Sequence, residues 1–63
     1  METSGQRLAR LRKERGMSQA ALAKQAGLSG QGAIGNIEND TRGYGASIID
    51  IARALQTTPE FLR

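Results

Sequence analysis

The sequence predicts a small all-α domain. Segments with apolar residues at three- and four-residue spacing succeed one another from Gln6 to the chain's end, and glycines or capping residues separate them. No stretch alternates apolar and polar residues as a half-buried strand would. A chain of 63 residues has room for one domain, 1–63, and at this size folding removes from water only roughly 60% of the surface the unfolded chain exposes. The core must be small and held by apolar packing, because the sequence contains no cysteine and no histidine for disulfides or the common zinc clusters.

The first helix is expected from Gln6 to Arg15, a run of good helix formers with Leu8 and Leu11 on one face and Ser4 placed to cap the start. On a helical wheel Arg12 projects beside Leu8, away from Arg7, Arg10, Lys13 and Glu14, so it needs a buried partner. Gly16 ends this helix, and Ser18 caps a second over about 18–26, rich in alanine and therefore thin enough for a neighbouring helix to approach closely. Gly27 supplies the left-handed residue of a sharp turn, Leu28 tucks inward, and Ser29 or Gly30 opens a third helix over about 31–39.

That third helix is unusual. Ala33, Ile34 and Ile37 share one face and pack inward, whereas the opposite face carries Gln31, Gly32, Gly35 and Asn36, with no charge. Two glycines inside a helix cost roughly 1 kcal/mol each relative to alanine, so something other than solvation is expected to have selected this face. Asn39 to Gly45 reads as a loop with Arg42 and Tyr44 exposed. Ser47 with Asp50 resembles a capping box, and Ile48, Ile51, Ala52 and Leu55 form the stripe of a fourth helix that fades near Gln56. Thr58 and Pro59 are a cap and first-position pair, so Glu60, Phe61, Leu62 and Arg63 begin a fifth. The chain stops within about one turn of that point, as expected of a domain trimmed from something longer.

Composition narrows the function. With no histidine, no cysteine and no paired carboxylates, acid–base or nucleophilic chemistry would rest on isolated Ser, Lys or Asp side chains, so neither an enzyme nor a metal or cofactor site is expected. No apolar run approaches the roughly 18 residues of a membrane span, and the amino terminus lacks the order of a secretory signal; a cytoplasmic protein is expected. The net charge of +3 permits a polyanionic partner, and five of the nine Lys and Arg residues (Arg7, Arg10, Arg12, Lys13, Arg15) lie within nine consecutive positions. A basic cluster on one helix serves equally as a solvated face.

In order along the chain, Ser18-Gln19 with Leu22-Ala23, then Ala26-Gly27-Leu28-Ser29, then Ile34-x-x-Ile37-Glu38-Asn39, and finally Leu55 with Pro59-Glu60-Phe61-Leu62 resemble the Cro/CI-type (XRE) family of phage repressors. The match covers nearly the whole chain and implies a compact five-helix, lambda-repressor-like DNA-binding domain. One departure stands out: Ser29 to Ile34 is five positions where the family has four, and Gly30 is the extra residue. Either the turn lengthens to absorb it or the third helix starts later.

The resemblance implies that the third helix lies in the major groove of a double-stranded DNA operator, with Gln31, Gly32, Gly35 and Asn36 toward the bases. Gln31 and Asn36 are amides of the kind that pair with the N6/N7 edge of adenine, and the glycines let the backbone come close. Arg10, Ser18, Gln19, Lys24, Asn39, Thr41, Arg42 and Gly43 are the expected contacts to the DNA backbone, where they would position without reading sequence. Arg12 and Glu38 are expected to form a structural ion pair. Ile49, turned about 100° from the core stripe, is with Pro59 and Phe61 the expected interface of a weak homodimer strengthened on DNA. A protein-interaction or antitoxin-like module on the same fold is the alternative, and salt dependence separates the two.

Overall fold

A computed structural model describes residues 1–63 and contains five helices: α1 (Ser4–Glu14), α2 (Gln19–Gln25), α3 (Gln31–Glu38), α4 (Ser47–Ala54) and α5 (Pro59–Leu62). There is no strand. Leu8, Leu22, Ile34, Ile51, Leu55 and Leu62 are fully shielded from solvent, one or two from each helix or its cap, and each such burial is worth roughly 1.5–3 kcal/mol. Leu11, Ala23, Ala26, Ile37, Ile48 and Ala52 complete the core. The alanines of α2 let that helix sit close to both α3 and α4, while α1 packs on α3 and α5.

The start of α1 packs closely against the end of α3. A Cβ on Gly5 would fall 2.6 Å from the Glu38 carbonyl oxygen and 2.7 Å from Asp40 Oδ1, with the Ile37 carbonyl also too near, so only glycine fits. Asp40 has φ 60°, and its carboxylate accepts from the Gly5 amide at 3.0 Å and from the Thr3 hydroxyl at 2.7 Å. One side chain from the loop after α3 thus satisfies an otherwise orphaned amide of α1, where a negative charge is also favoured by the helix dipole.

Several local expectations are corrected. Helix α1 starts two residues earlier than expected, and its cap is Thr3, not Ser4: Thr3 Oγ1 accepts from the Gln6 amide at 3.0 Å while Gln6 Oε1 accepts from the Thr3 amide at 2.9 Å. The expected capping box of Ser47 and Asp50 does not form. Ala46 is already helical (φ −68°, ψ −17°), and the first amides of α4 are met by the Tyr44 and Gly45 carbonyls, which leaves Ser47 nothing to cap. Tyr44 is half-buried against the core, not exposed; its hydroxyl donates to the Ser4 carbonyl at 3.4 Å, and burial raises its phenol pKa. Helix α4 ends at Ala54, before the left-handed Gln56 (φ 57°). Ser18 and Thr58 cap α2 and α5 through their side chains as the sequence indicated.

Candidate nucleic-acid interface

The geometry of the α2–turn–α3 unit follows from its residues. Ala26 caps α2, Gly27 turns the backbone left-handed (φ 73°), and the Leu28 amide returns to the Ala23 carbonyl at 2.8 Å while its side chain packs on the core. The chain bends at Ser29, passes through Gly30 in an extended conformation at φ 177°, ψ 177°, and begins α3 at Gln31. Gly30 lies outside α3, as its N-cap residue. Ile34 and Ile37 still reach the core, at 0% and 3% exposure, which turns the opposite face of α3 outward.

On that face Gln31, Gly32 and Asn36 are exposed and Gly35 is partly covered. The cover is Gln19. Its carboxamide lies across Gly35, with Oε1 3.6 Å from the position a Cβ would take, and its Nε2 donates to Glu38 Oε1 at 3.0 Å. Gln19 is accordingly half-buried. Glu38 in turn faces Arg12: Arg12 Nε donates to Oε2 at 2.6 Å, Arg12 NH2 to Oε1 at 3.2 Å, and Arg12 NH1 to the Met17 carbonyl at 2.7 Å. Both side chains are about nine-tenths shielded, at 10% and 8% exposure. Each charged atom of the pair has a partner, and no buried side-chain nitrogen or oxygen of the chain lacks one; this complete satisfaction is what makes a buried ion pair tolerable.

The expected backbone-contact residues other than Gln19 fall into four groups. Lys24 and Arg42 are exposed and make no ion pair, so their charge is available. Ser18 Oγ accepts from the Ala21 amide at 3.0 Å and acts as a cap. In the loop after α3, the Asn39 amide donates to the Gly35 carbonyl at 3.0 Å, and those of Thr41 and Arg42 donate to the Asn36 carbonyl at 3.0 and 3.2 Å. The Asn39 and Thr41 amides are thus already bonded within the chain, and their side chains and the Gly43 amide are the groups left free for a phosphate. Arg10 is the fourth. It bonds Glu2 at 2.7 Å and Glu14 at 3.1 Å, and those carboxylates, Glu2 foremost, raise its pKa further. Its charge is already answered by Glu2, just before α1, and Glu14, at its end.

At the other end Ile49 and Phe61 are exposed, at 56% and 43%, whereas Leu62 is fully buried and Pro59 half-buried. Arg7 partly covers Phe61, its guanidinium carbon 5.9 Å from the ring centroid and NH1 donating to the Phe61 carbonyl at 3.0 Å. Sequence reasoning did not find the Asp40–Gly5 clamp or the Gln19–Glu38 bond. The one available signal was Gly5 itself, a glycine in a run of strong helix formers.

A family model described as a helix-turn-helix domain matches residues 5–58. The chain belongs to that family. Among solved structures, this helix-turn-helix chain is similar to the restriction-modification controller protein C.AhdI from Aeromonas hydrophila, with 36% identity and a TM-score of 0.88 over 95% of this chain and 91% of that one. It is also similar to the P22 c2 repressor in complex with a synthetic operator (30% identity, TM-score 0.89, covering 98% and 94% of the two chains). A third is the master regulator for biofilm formation SinR in complex with DNA (26%, 0.86, covering 95% and 97%). These likenesses place the chain in the Cro/CI-type branch, with the five-helix repressor fold expected of it. No curated protein matches the chain at a significant level.

Proposed function

We propose that this helix-turn-helix protein is a sequence-specific, double-stranded-DNA-binding transcriptional regulator of the repressor type, acting as a homodimer that is weak in solution and strengthened on its operator. The observation that carries the reading is the exposed face of α3. It is uncharged, presents the amides of Gln31 and Asn36, is lowered by Gly32, and is accompanied by the unpaired cations Lys24 and Arg42. Laid in the major groove, such a face has the donors and acceptors that distinguish base pairs, while neighbouring cations meet phosphates. The likeness to P22 c2 repressor in complex with a synthetic operator and to SinR in complex with DNA supports the DNA-binding reading.

In this reading Gln31, Gly32, Gly35 and Asn36 approach the bases, and Gln19, Lys24, Asn39, Thr41, Arg42 and Gly43 contact the backbone. Ser18 holds the start of α2, and Arg12 and Glu38 hold α1 to α3. The exposed Ile49 and Phe61, with Pro59 two positions before Phe61, supply the contact between two copies, which places half-sites about one DNA turn apart. The reading involves no catalysis and no cofactor, and it places the protein in the cytoplasm; no helix is long and apolar enough to cross a membrane.

The test is binding to a fluorescent duplex over a range of salt. Each phosphate neutralised adds about 0.9 to the slope of log K against log salt, so a slope of several units is expected. Binding that is absent, or flat in salt, contradicts the reading.

A further inference from the structure

Gln19 is the first residue of α2, yet its side chain does not stand away from that helix into solvent. The carboxamide lies against α3, with Oε1, Nε2 and Cδ at 3.6, 3.7 and 3.9 Å from where a Cβ of Gly35 would sit. It is held there by Glu38 Oε1, which accepts from Nε2 at 3.0 Å. Glu38 is fixed in its turn by the two-point grip of Arg12, and Arg12 by the Met17 carbonyl. A continuous series of charge-assisted bonds therefore runs from the end of α1 to the edge of the outward face of α3, and Gln19 Oε1 is the one oxygen in it with no partner in the chain.

We infer that Glu38, beyond neutralising Arg12, is a positioning residue for DNA recognition: it holds the Gln19 carboxamide flat across Gly35, so that Gln19 meets DNA as a pre-set hydrogen-bonding edge. This inference rests on the DNA-binding reading above. A free glutamine side chain loses rotamer freedom when it is immobilised in an interface, and an amide already ordered in the free protein loses little. Gly35 belongs to the same device, because a long side chain there would displace the amide. The buried ion pair thus acts on binding as well as on folding, through one named contact.

Glu38→Gln is the variant that separates the two roles. A carboxamide has one oxygen; the Arg12 guanidinium claims it, and the NH2 left over cannot accept from the NH2 of Gln19, so Gln19 either loses its anchor or turns over and presents Nε2 where Oε1 stood. The probe is a duplex selected by the parent protein from a random pool, with affinities measured at a temperature where melting curves show each variant folded. Gln19→Ala and Glu38→Gln are each expected to weaken binding about tenfold, and the double variant by about the same tenfold, because residues acting through one contact are not additive. A double variant weakened by the product, about a hundredfold, or a Glu38→Gln protein within about twofold of the parent, overturns the inference.

Should Glu38→Gln fail to fold, the side-chain amide spectrum of the parent decides. The Gln19 Nε2 protons are expected to exchange more slowly than those of the exposed Gln25 and Gln31, with one shifted by the carboxylate; protons indistinguishable from those of Gln25 overturn the inference. A parent that binds no duplex at any salt overturns the DNA-binding reading, and the inference with it, even if the amide signature is present. A parent that binds while Gln19 and Glu38 behave independently removes the inference alone.

Discussion

The Arg12 guanidinium and the Glu38 carboxylate, 26 residues apart, meet at two points, 2.6 and 3.2 Å, with about a tenth of either side chain exposed. Removing one partner from such a pair leaves an uncompensated charge in the interior, at a cost of roughly 3–5 kcal/mol. Stability of roughly 0.05–0.15 kcal/mol per residue gives so small a domain little beyond that. Glu38→Ala is therefore expected to lose most of the stability of the parent in urea denaturation. A melting temperature within a degree or two of the parent would mean that the pair contributes nothing.

Two glycines in helices are expected to respond in opposite directions to the same change. At Gly32 nothing lies within 4 Å of an added Cβ, so Gly32→Ala gains helix propensity of roughly 1 kcal/mol and about 4–8 °C in melting temperature. At Gly5 the added Cβ meets three oxygens of the α3 terminus and its loop, and overpacking of this kind costs roughly 1–3 kcal/mol. Thermal melts of the two single variants check both signs. If Gly32→Ala also weakens DNA binding while raising stability, the glycine serves close approach to the bases.

The parts of this fold that the sequence made legible are local. Leu8 and Leu11 lie one turn apart; Ser18 and the Thr58-Pro59 pair announce helix starts through bonds to residues three positions on. The wheel position of Arg12 required a buried acceptor, and the family resemblance pointed to Glu38. What stayed hidden depends on residues that only the tertiary fold brings together: Asp40 bonding Gly5 across 35 positions, and Gln19 bonding Glu38 across 19. The Ser47–Asp50 pattern misled because the preceding turn already supplies carbonyls to the first amides of α4, so no side-chain cap is needed.

Arg42 sits in the loop after α3, exposed and without a carboxylate partner. Arg42→Ala is expected to weaken binding to every duplex alike and to lower the salt slope by about one unit. Titrations of a selected and a scrambled duplex at several salt concentrations check this. An unchanged slope would show that Arg42 touches no phosphate.

Ile49 leaves 56% of its surface in solvent on α4, a position where a charge costs the monomer little. Ile49→Glu is expected to leave the melting temperature near that of the parent and to abolish cooperative binding to a two-fold-related site, because the same residue from both copies would meet across the dyad. Equal cooperativity in parent and variant would remove Ile49 from the interface.

The most direct test of the central claim, that the outward face of α3 reads base sequence, is selection of duplexes from a random pool by the parent and by Gln31→Ala and Asn36→Ala. The parent is expected to enrich a two-fold-related site with half-site centres about one helical turn apart, and each variant to lose discrimination at particular base pairs, by roughly 1–3 kcal/mol, while its affinity for random DNA stays unchanged. No enrichment by the parent, or variants that enrich the same site undiminished, would contradict it.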